Sequence, residues 1–452
     1  MPARTRFLML GLALVVVLVA TALDGRGLLA QARTRWQGQG TDGLAVTAAL
    51  RPSDTVRQVT ALQDRLRQSP DDPRLLTALG GAYLQRARDT GDASYYARAE
   101  QALRRAAERQ PDNVDALTQL GVLALARHQF REARDLAEQA RVLNPDRALI
   151  YGVIGDALVE LGEYPQAVTT VQRMVDLRPN LSSYARVSYL RELHGDLPGA
   201  IDAMQRAVRA GGPAAENAAW TQTQLALLYF GQGDLVSAEA EARATLALHG
   251  DYIPGQVALA RVHAARSEWE PALQLLRHAV DVTPLPEYAT LLGDVYRAAG
   301  RPEEAAAQDA LVRATAQLQR AGGMAVDMEM ALFEADHGGD PATTVAQARQ
   351  AYRDRPSIHG ADTLAWALYR AGLMDEARFY SQEALRLGTR DALLHYHAGM
   401  IALAAGDRAT ARQSLDTALS INPYFSLPHA TEARAALDQL GAAERVAQES
   451  GS

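Results

Sequence analysis

The most apolar stretch of the chain comes first. Arg4 and Arg6 precede a run from Phe7 through Leu23 in which only Gly11 and Thr21 interrupt large or small apolar side chains. A basic start followed by such a run is the pattern of a targeting segment. Its 17 residues fall between the roughly 7–15 of a signal-peptide core and the roughly 18 or more of a membrane span. Ala20-Thr21-Ala22 and Ala30-Gln31-Ala32 have the small-x-small form that signal peptidase accepts. Residues 1–24 are therefore expected to be a signal peptide or an N-terminal membrane anchor, with the remainder exported. Arg26, Arg33 and Arg35 behind the run nearly balance the basic start, so charge bias alone leaves orientation open. Residues 25–71 are polar and weakly periodic; they read as a tether that ends in a lead-in helix from about Asp54 to Gln68.

From residue 72 onward the pattern is one of recurrence. A small residue returns at Ala99, Ala133, Ala167 and Ala200, in steps of 34, 34 and 33. It continues at Ala238, Ala272 and Ala305, and then at Ala377 and Ala411, with a gap of 72 between Ala305 and Ala377 that leaves room for one further unit. Prolines keep the same beat at Pro111, Pro145, Pro179, Pro284, Pro356 and Pro423. So do glycines placed to start a turn, at Gly162, Gly195, Gly233, Gly300, Gly372 and Gly406. Alanine and leucine dominate the apolar residues, and few stretches combine β-branched and aromatic residues as strands do. The pattern predicts an all-α chain of paired helices.

The unit resembles the tetratricopeptide repeat, a helix–turn–helix of 34 residues. Tyr151, Ile154, Gly155, Leu158, Gly162, Tyr164, Ala167 and Pro179 carry the resemblance in the third unit; Leu120, Gly121, Ala133, Ala140 and Pro145 carry it in the second. His395, Gly399, Gly406, Ala411, Ala418 and Pro423 repeat it at the end. The resemblance implies a right-handed α-α superhelix of about ten repeats over residues 72–425, closed by a capping helix and tail over 426–452. The first unit carries extra residues around Arg88–Asp92, the fourth has Ser188 where glycine is usual, and the eighth, about Met324–Pro356, is degenerate.

The same resemblance implies that the first helix of each unit builds a concave wall that holds a partner protein or peptide. On that wall it places Tyr189, Trp220, Phe230, Arg261 and Arg297 in the middle of the array, and Trp366, Tyr369, Arg370 and Tyr396 towards its end. Trp366, Tyr369 and Arg370 are three and four apart and share one helix face. The implied function is an interaction scaffold or adaptor, placed within an envelope complex if the chain is exported. The competing expectation is a cytoplasm-facing regulator that binds a signalling protein.

Charge and composition narrow the remaining classes. The formal net charge is −7 and the pI about 5.9. No basic stripe is present, and a nucleic-acid partner is not expected. All 46 basic residues are arginine, since lysine is absent. The absence of cysteine removes disulfides, thiolate metal sites and a thiol nucleophile. Glu334, Asp336, His337 and Asp340 form the nearest approach to a cation site, but they read as a helix end with Asp340 as the next N-cap. No motif of a hydrolase, phosphate-binding loop or metalloprotease occurs. An enzyme, a metal and a cofactor are not expected.

Overall fold

The structure, a computed structural model, describes residues 52–211 and 215–450. The targeting segment and most of the tether lie outside the described residues. Within them the chain forms 22 α-helices and no strand. Helix α1 (Pro52–Gln68) leads into ten hairpins. The first five are α2 (Pro73–Thr90) with α3 (Ser94–Arg109), α4 (Val114–Ala126) with α5 (Phe130–Leu143), α6 (Ala148–Glu160) with α7 (Tyr164–Leu177), α8 (Leu181–Leu193) with α9 (Leu197–Ala210), and α10 (Ala215–Gly231) with α11 (Leu235–Leu248). The second five are α12 (Ile253–Ala265) with α13 (Trp269–Val282), α14 (Pro286–Ala298) with α15 (Pro302–Ala321), α16 (Asp327–Asp336) with α17 (Pro341–Asp354), α18 (Ile358–Arg370) with α19 (Met374–Leu385), and α20 (Ala392–Ala404) with α21 (Arg408–Ile421). Helix α22 (Leu427–Ser450) closes the array. No helix of the described residues is long and apolar enough to cross a membrane.

Local chemistry closes several of the hairpins. Asp196, Asp234 and Asp407 each accept a hydrogen bond from the backbone N–H three residues on, which caps the second helix of the unit. Within a hairpin the paired helices approach closely because one residue is small. A Cβ at Gly155 would lie 2.8 Å from Val171 Cγ2, and one at Gly121 would lie 3.3 Å from the Ala133 carbonyl oxygen. Ser188 takes the glycine's place in the fourth unit without separating the helices. Its hydroxyl donates to the Ala200 carbonyl at 2.7 Å, so the added atoms are buried with a partner.

The irregular units are irregular in length. Helix α2 has 18 residues where α4 has 13, which absorbs the extra residues around Arg88. The eighth unit has a first helix of only 10 residues, preceded by a 20-residue α15. Asp340 is the N-cap of α17, accepting from Thr343 N–H at 2.8 Å, as the sequence implies.

Successive units stack, and the solenoid turns tightly enough to touch itself. Arg355 Nε donates to Glu160, 195 residues earlier. Ile358 N–H donates to the Tyr164 hydroxyl at 2.8 Å, Asn422 Nδ2 to the Phe230 carbonyl at 2.8 Å, and Ala325 N–H to the Arg127 carbonyl at 3.1 Å. Arg131 Nη2 donates to the Arg353 carbonyl at 2.8 Å. These contacts join the turn inside one unit to the loop between units one superhelical turn later. They form a seam, and the seam makes the concave side an enclosed lumen. Helix α22 does more than cover α21: it also packs on α20 and reaches across to α14.

Candidate binding cavity

The first helices of units six to nine, the end of α10 and the start of α22 enclose a cavity of about 260 Å³ inside the lumen. Phe230, Leu291, Met328, Met330 and Phe333 supply much of its apolar wall. These side chains come from α10, α14 and α16, so the cavity exists only because distant units converge.

Its polar groups sort into paired and under-paired sets. In the paired set, Asp336 accepts from Trp366 Nε1 at 2.7 Å and lies 3.3 Å from His429 Nε2. Glu432 lies 3.4 Å from His429 Nδ1 and accepts from the Tyr396 hydroxyl. Burial alone would discharge His429, but the flanking Asp336 and Glu432 outweigh it and push the imidazole up to about 9. The ring is therefore a cation at neutral pH, and it ties α22 to α16. Arg297 is held by Asp294 at 3.1 Å and by Asp309.

The under-paired set lies on α14 and α16. Glu287 follows Pro286 in the first turn of α14 and is 7% exposed. Burial pushes its carboxyl up to about 7; Glu329 adds to the rise and Arg261 opposes it. Glu329 Oε1 accepts from Arg355 Nη1 at 2.9 Å, whereas its Oε2 is buried and makes no hydrogen bond. Further along the inner wall, Asp156 on α6 has both oxygens paired. Arg186 grips both oxygens of Asp156, at 2.9 and 2.7 Å, and also donates to the Ser182 carbonyl at 3.0 Å.

The nine residues placed on the wall by sequence divide accordingly. Phe230, Arg261, Arg297 and Arg370 line the cavity. Tyr189 borders a smaller void between α8 and α20. Trp220 is buried, at 1% exposure, in the main core of the array. Trp366 and Tyr396 are buried in a core that α22 completes with Ala430, Ala433 and Leu440. Trp366 stacks on His397 at 4.0 Å and on the half-buried Tyr369 at 4.8 Å, so these rings pack internally. The cavity's Glu287, Glu329 and His429 were not foreseen. Glu329 sits in the degenerate unit and His429 in the cap, where no repeat register marks a wall position.

Residues 118–182, which span α4 to α7 and the first residues of α8, match the tetratricopeptide-repeat family. The same hairpin recurs from α2 to α21. The chain contains tetratricopeptide repeats. The tetratricopeptide fold suggests a protein-interaction scaffold. No curated protein matches the chain. Among solved structures, the human IFIT1 dimer with PPP-AAAA aligns at 14% identity over 74% of this chain and 79% of that one, with a TM-score of 0.47. The APC/C hetero-tetramer Cut9–Hcn1 aligns at 12% identity over 86% and 95%, with a TM-score of 0.38. Yeast Tom70 aligns at 15% identity over 86% of each chain, with a TM-score of 0.36.

Proposed function

We propose that this tetratricopeptide-repeat protein is an adaptor that takes a segment of a partner protein into its lumen, with the cavity between α12, α14, α16 and α22 as the anchoring point. The observation that carries the reading is convergence. Helices from five separate units meet around one enclosed, mostly apolar space that keeps buried charge at its wall. Pockets of that composition orient a ligand through few polar groups. The partner reaches it along the superhelix axis, because the seam closes the lateral route.

Thr290 lines the cavity from α14 and is half-buried, so Thr290→Trp fills the space without removing a core side chain. Proteins that co-purify with the wild-type chain from native membranes are expected to be lost from this variant while its helical content and melting temperature are kept. Recovery of the same partners would refute the lumen as the binding site.

The basic start and apolar run before residue 24 support an extracytoplasmic position, within an envelope complex. A reporter fused after Ser452 is then active outside the cytoplasm. Activity inside it would favour the alternative, a regulator of a cytoplasmic signalling protein.

A further inference from the structure

Charge at the inner end of the cavity does not balance. Glu287 and Glu329 line that end and Glu160 lies behind it, each on a nine-tenths-buried or more deeply buried side chain. Two guanidinium groups face them, and the buried His128 ring lies 3.9 Å from Glu329 Oε1. Arg355 bridges Glu160 and Glu329, and Arg261 lies close enough to Glu287 to favour its ionised form. With all three ionised, the carboxylates outnumber the guanidinium groups by one. Glu329 Oε2 is buried and makes no hydrogen bond, and the Glu287 carboxyl accepts from its own backbone N–H. An under-bonded buried carboxylate costs stability, and removing that cost is a source of binding energy.

We infer that this end of the cavity is a site for one organic cation, the ammonium or guanidinium group of a lysine or arginine side chain carried by the partner segment. The inference rests on the adaptor reading above. Its chemistry follows from the wall. Glu287 and Glu329 supply acceptors for the charged head, and Phe230, Met328 and Met330 supply a sleeve for an aliphatic stem. A guanidinium group is favoured over an ammonium, because its fork of donors can engage two carboxylates at once. Among the described residues no group of three or more His, Asp or Glu side chains is arranged to hold a metal ion, so an organic cation suits the site better than an inorganic one.

The site titrates. Glu287 shares the wall with Glu329 on α16, Arg261 on α12 and His359 and Asp362 on α18, with Arg355 and His128 behind Glu329. Glu287 ionises near pH 7 in the free protein, so the cation binds more tightly as pH rises through that range and releases a proton as it binds.

The test uses the full chain and three probes: N-acetyl-arginine amide, its neutral citrulline counterpart, and magnesium or calcium chloride, each titrated calorimetrically at about pH 6 and about pH 8. The arginine probe is expected to bind, more tightly at the higher pH, with the citrulline probe and the divalent cations silent. Glu329→Gln should weaken the arginine probe by on the order of tenfold or more, as expected when one partner of a buried charge pair is removed. Because Glu329 also holds Arg355, Glu287→Gln serves as the second variant. It removes a carboxyl that opposes another, so its melting temperature should rise while probe binding falls. Equal binding of the citrulline probe, unchanged binding in a folded Glu287→Gln chain, or occupancy by a divalent cation would each overturn the inference. If the arginine probe fails to bind while Thr290→Trp still loses its partners, the cation site falls and the adaptor reading stands. If the probe binds and those partners are retained, the cation is not carried by a partner segment and the inference falls.

Discussion

Gly162 and Gly372 occupy the same place in units three and nine and have nearly the same backbone, with φ of 73° and 77°. Their surroundings differ. A Cβ at Gly162 would overlap the carbonyl oxygen of Pro356, one superhelical turn away; a Cβ at Gly372 would meet nothing. One glycine serves only the local turn, where a left-handed residue without a Cβ ends the helix. The other serves the turn and the seam together. The repeat pattern is thus satisfied identically in both units, while the closure of the superhelix adds a second demand on one of them. The same division separates buried charge from surface charge. Arg355 is 4% exposed and binds acids from two superhelical turns, whereas Arg349 pairs with Glu376 on the outer face, with both side chains more than 40% exposed.

The strongest way to break this comparison is Arg355→Ala. It leaves Glu160 and Glu329 buried without their shared cation, and we expect a loss of about 3–5 kcal/mol in urea unfolding. Arg349→Ala should change stability by about 0–1 kcal/mol in the same assay. Similar losses for the two would mean that the seam charges are solvated. Next in size is the glycine pair. Gly372→Ala should cost about 1–2 kcal/mol from the left-handed conformation alone. Gly162→Ala should cost more by a further ~1–3 kcal/mol, because the seam must open to admit the methyl group. Equal values would remove the seam from the account.

Smaller again is Tyr164→Phe, which strips the acceptor from the buried Ile358 N–H and should cost about 1–3 kcal/mol. Tyr151→Phe, whose hydroxyl donates to the Pro145 carbonyl at the surface, is the matched control and should be nearly neutral. The gentlest probe is pH. Burial raises Glu287 from 4.5 to about 7 and Asp156 from 3.8 to about 6, and two acids raise His429 from 6.5 to about 9. Each of these groups holds its proton more tightly when folded, so its stabilising contribution is lost as pH rises through its folded value. The exposed caps run the other way. Hydrogen bonds from Thr410 hold Asp407 below its ordinary range, and those from Thr343 do the same for Asp340. Their contribution is present above 3.8 and is lost only in stronger acid. A melting temperature highest near about pH 4 and declining towards about pH 9 follows; a rise across that interval would contradict it.

Most of the architecture is legible in the sequence because a repeat announces its own needs. Gly155 opposite Val171, and Gly406 followed by the cap Asp407, are local solutions that recur every 34 residues or so. The seam is not legible. It depends on a small rotation per unit, summed over nearly six units, and no residue within one unit encodes the sum. The wall aromatics show the other limit. Trp366 and Tyr396 stand at wall positions, but α22 folds over them and turns a binding face into core. Two of the groups that give the cavity its chemistry lie where the register fails: Glu329 in the shortened eighth unit and His429 in the cap. Aromatic content on a repeat face points to a partner only when no further helix of the same chain competes for that face.

The contact between superhelical turns is the claim on which the enclosed lumen depends. The chain has no cysteine, so Arg131→Cys and Asp354→Cys introduce two unique labelling sites on side chains that meet across the seam at 3.6 Å. With a spin label on each, pulsed dipolar spectroscopy in solution should give a single narrow distribution at the short end of the measurable range. A broad distribution centred at long distance would show that the turns stand apart and the groove is open to the side.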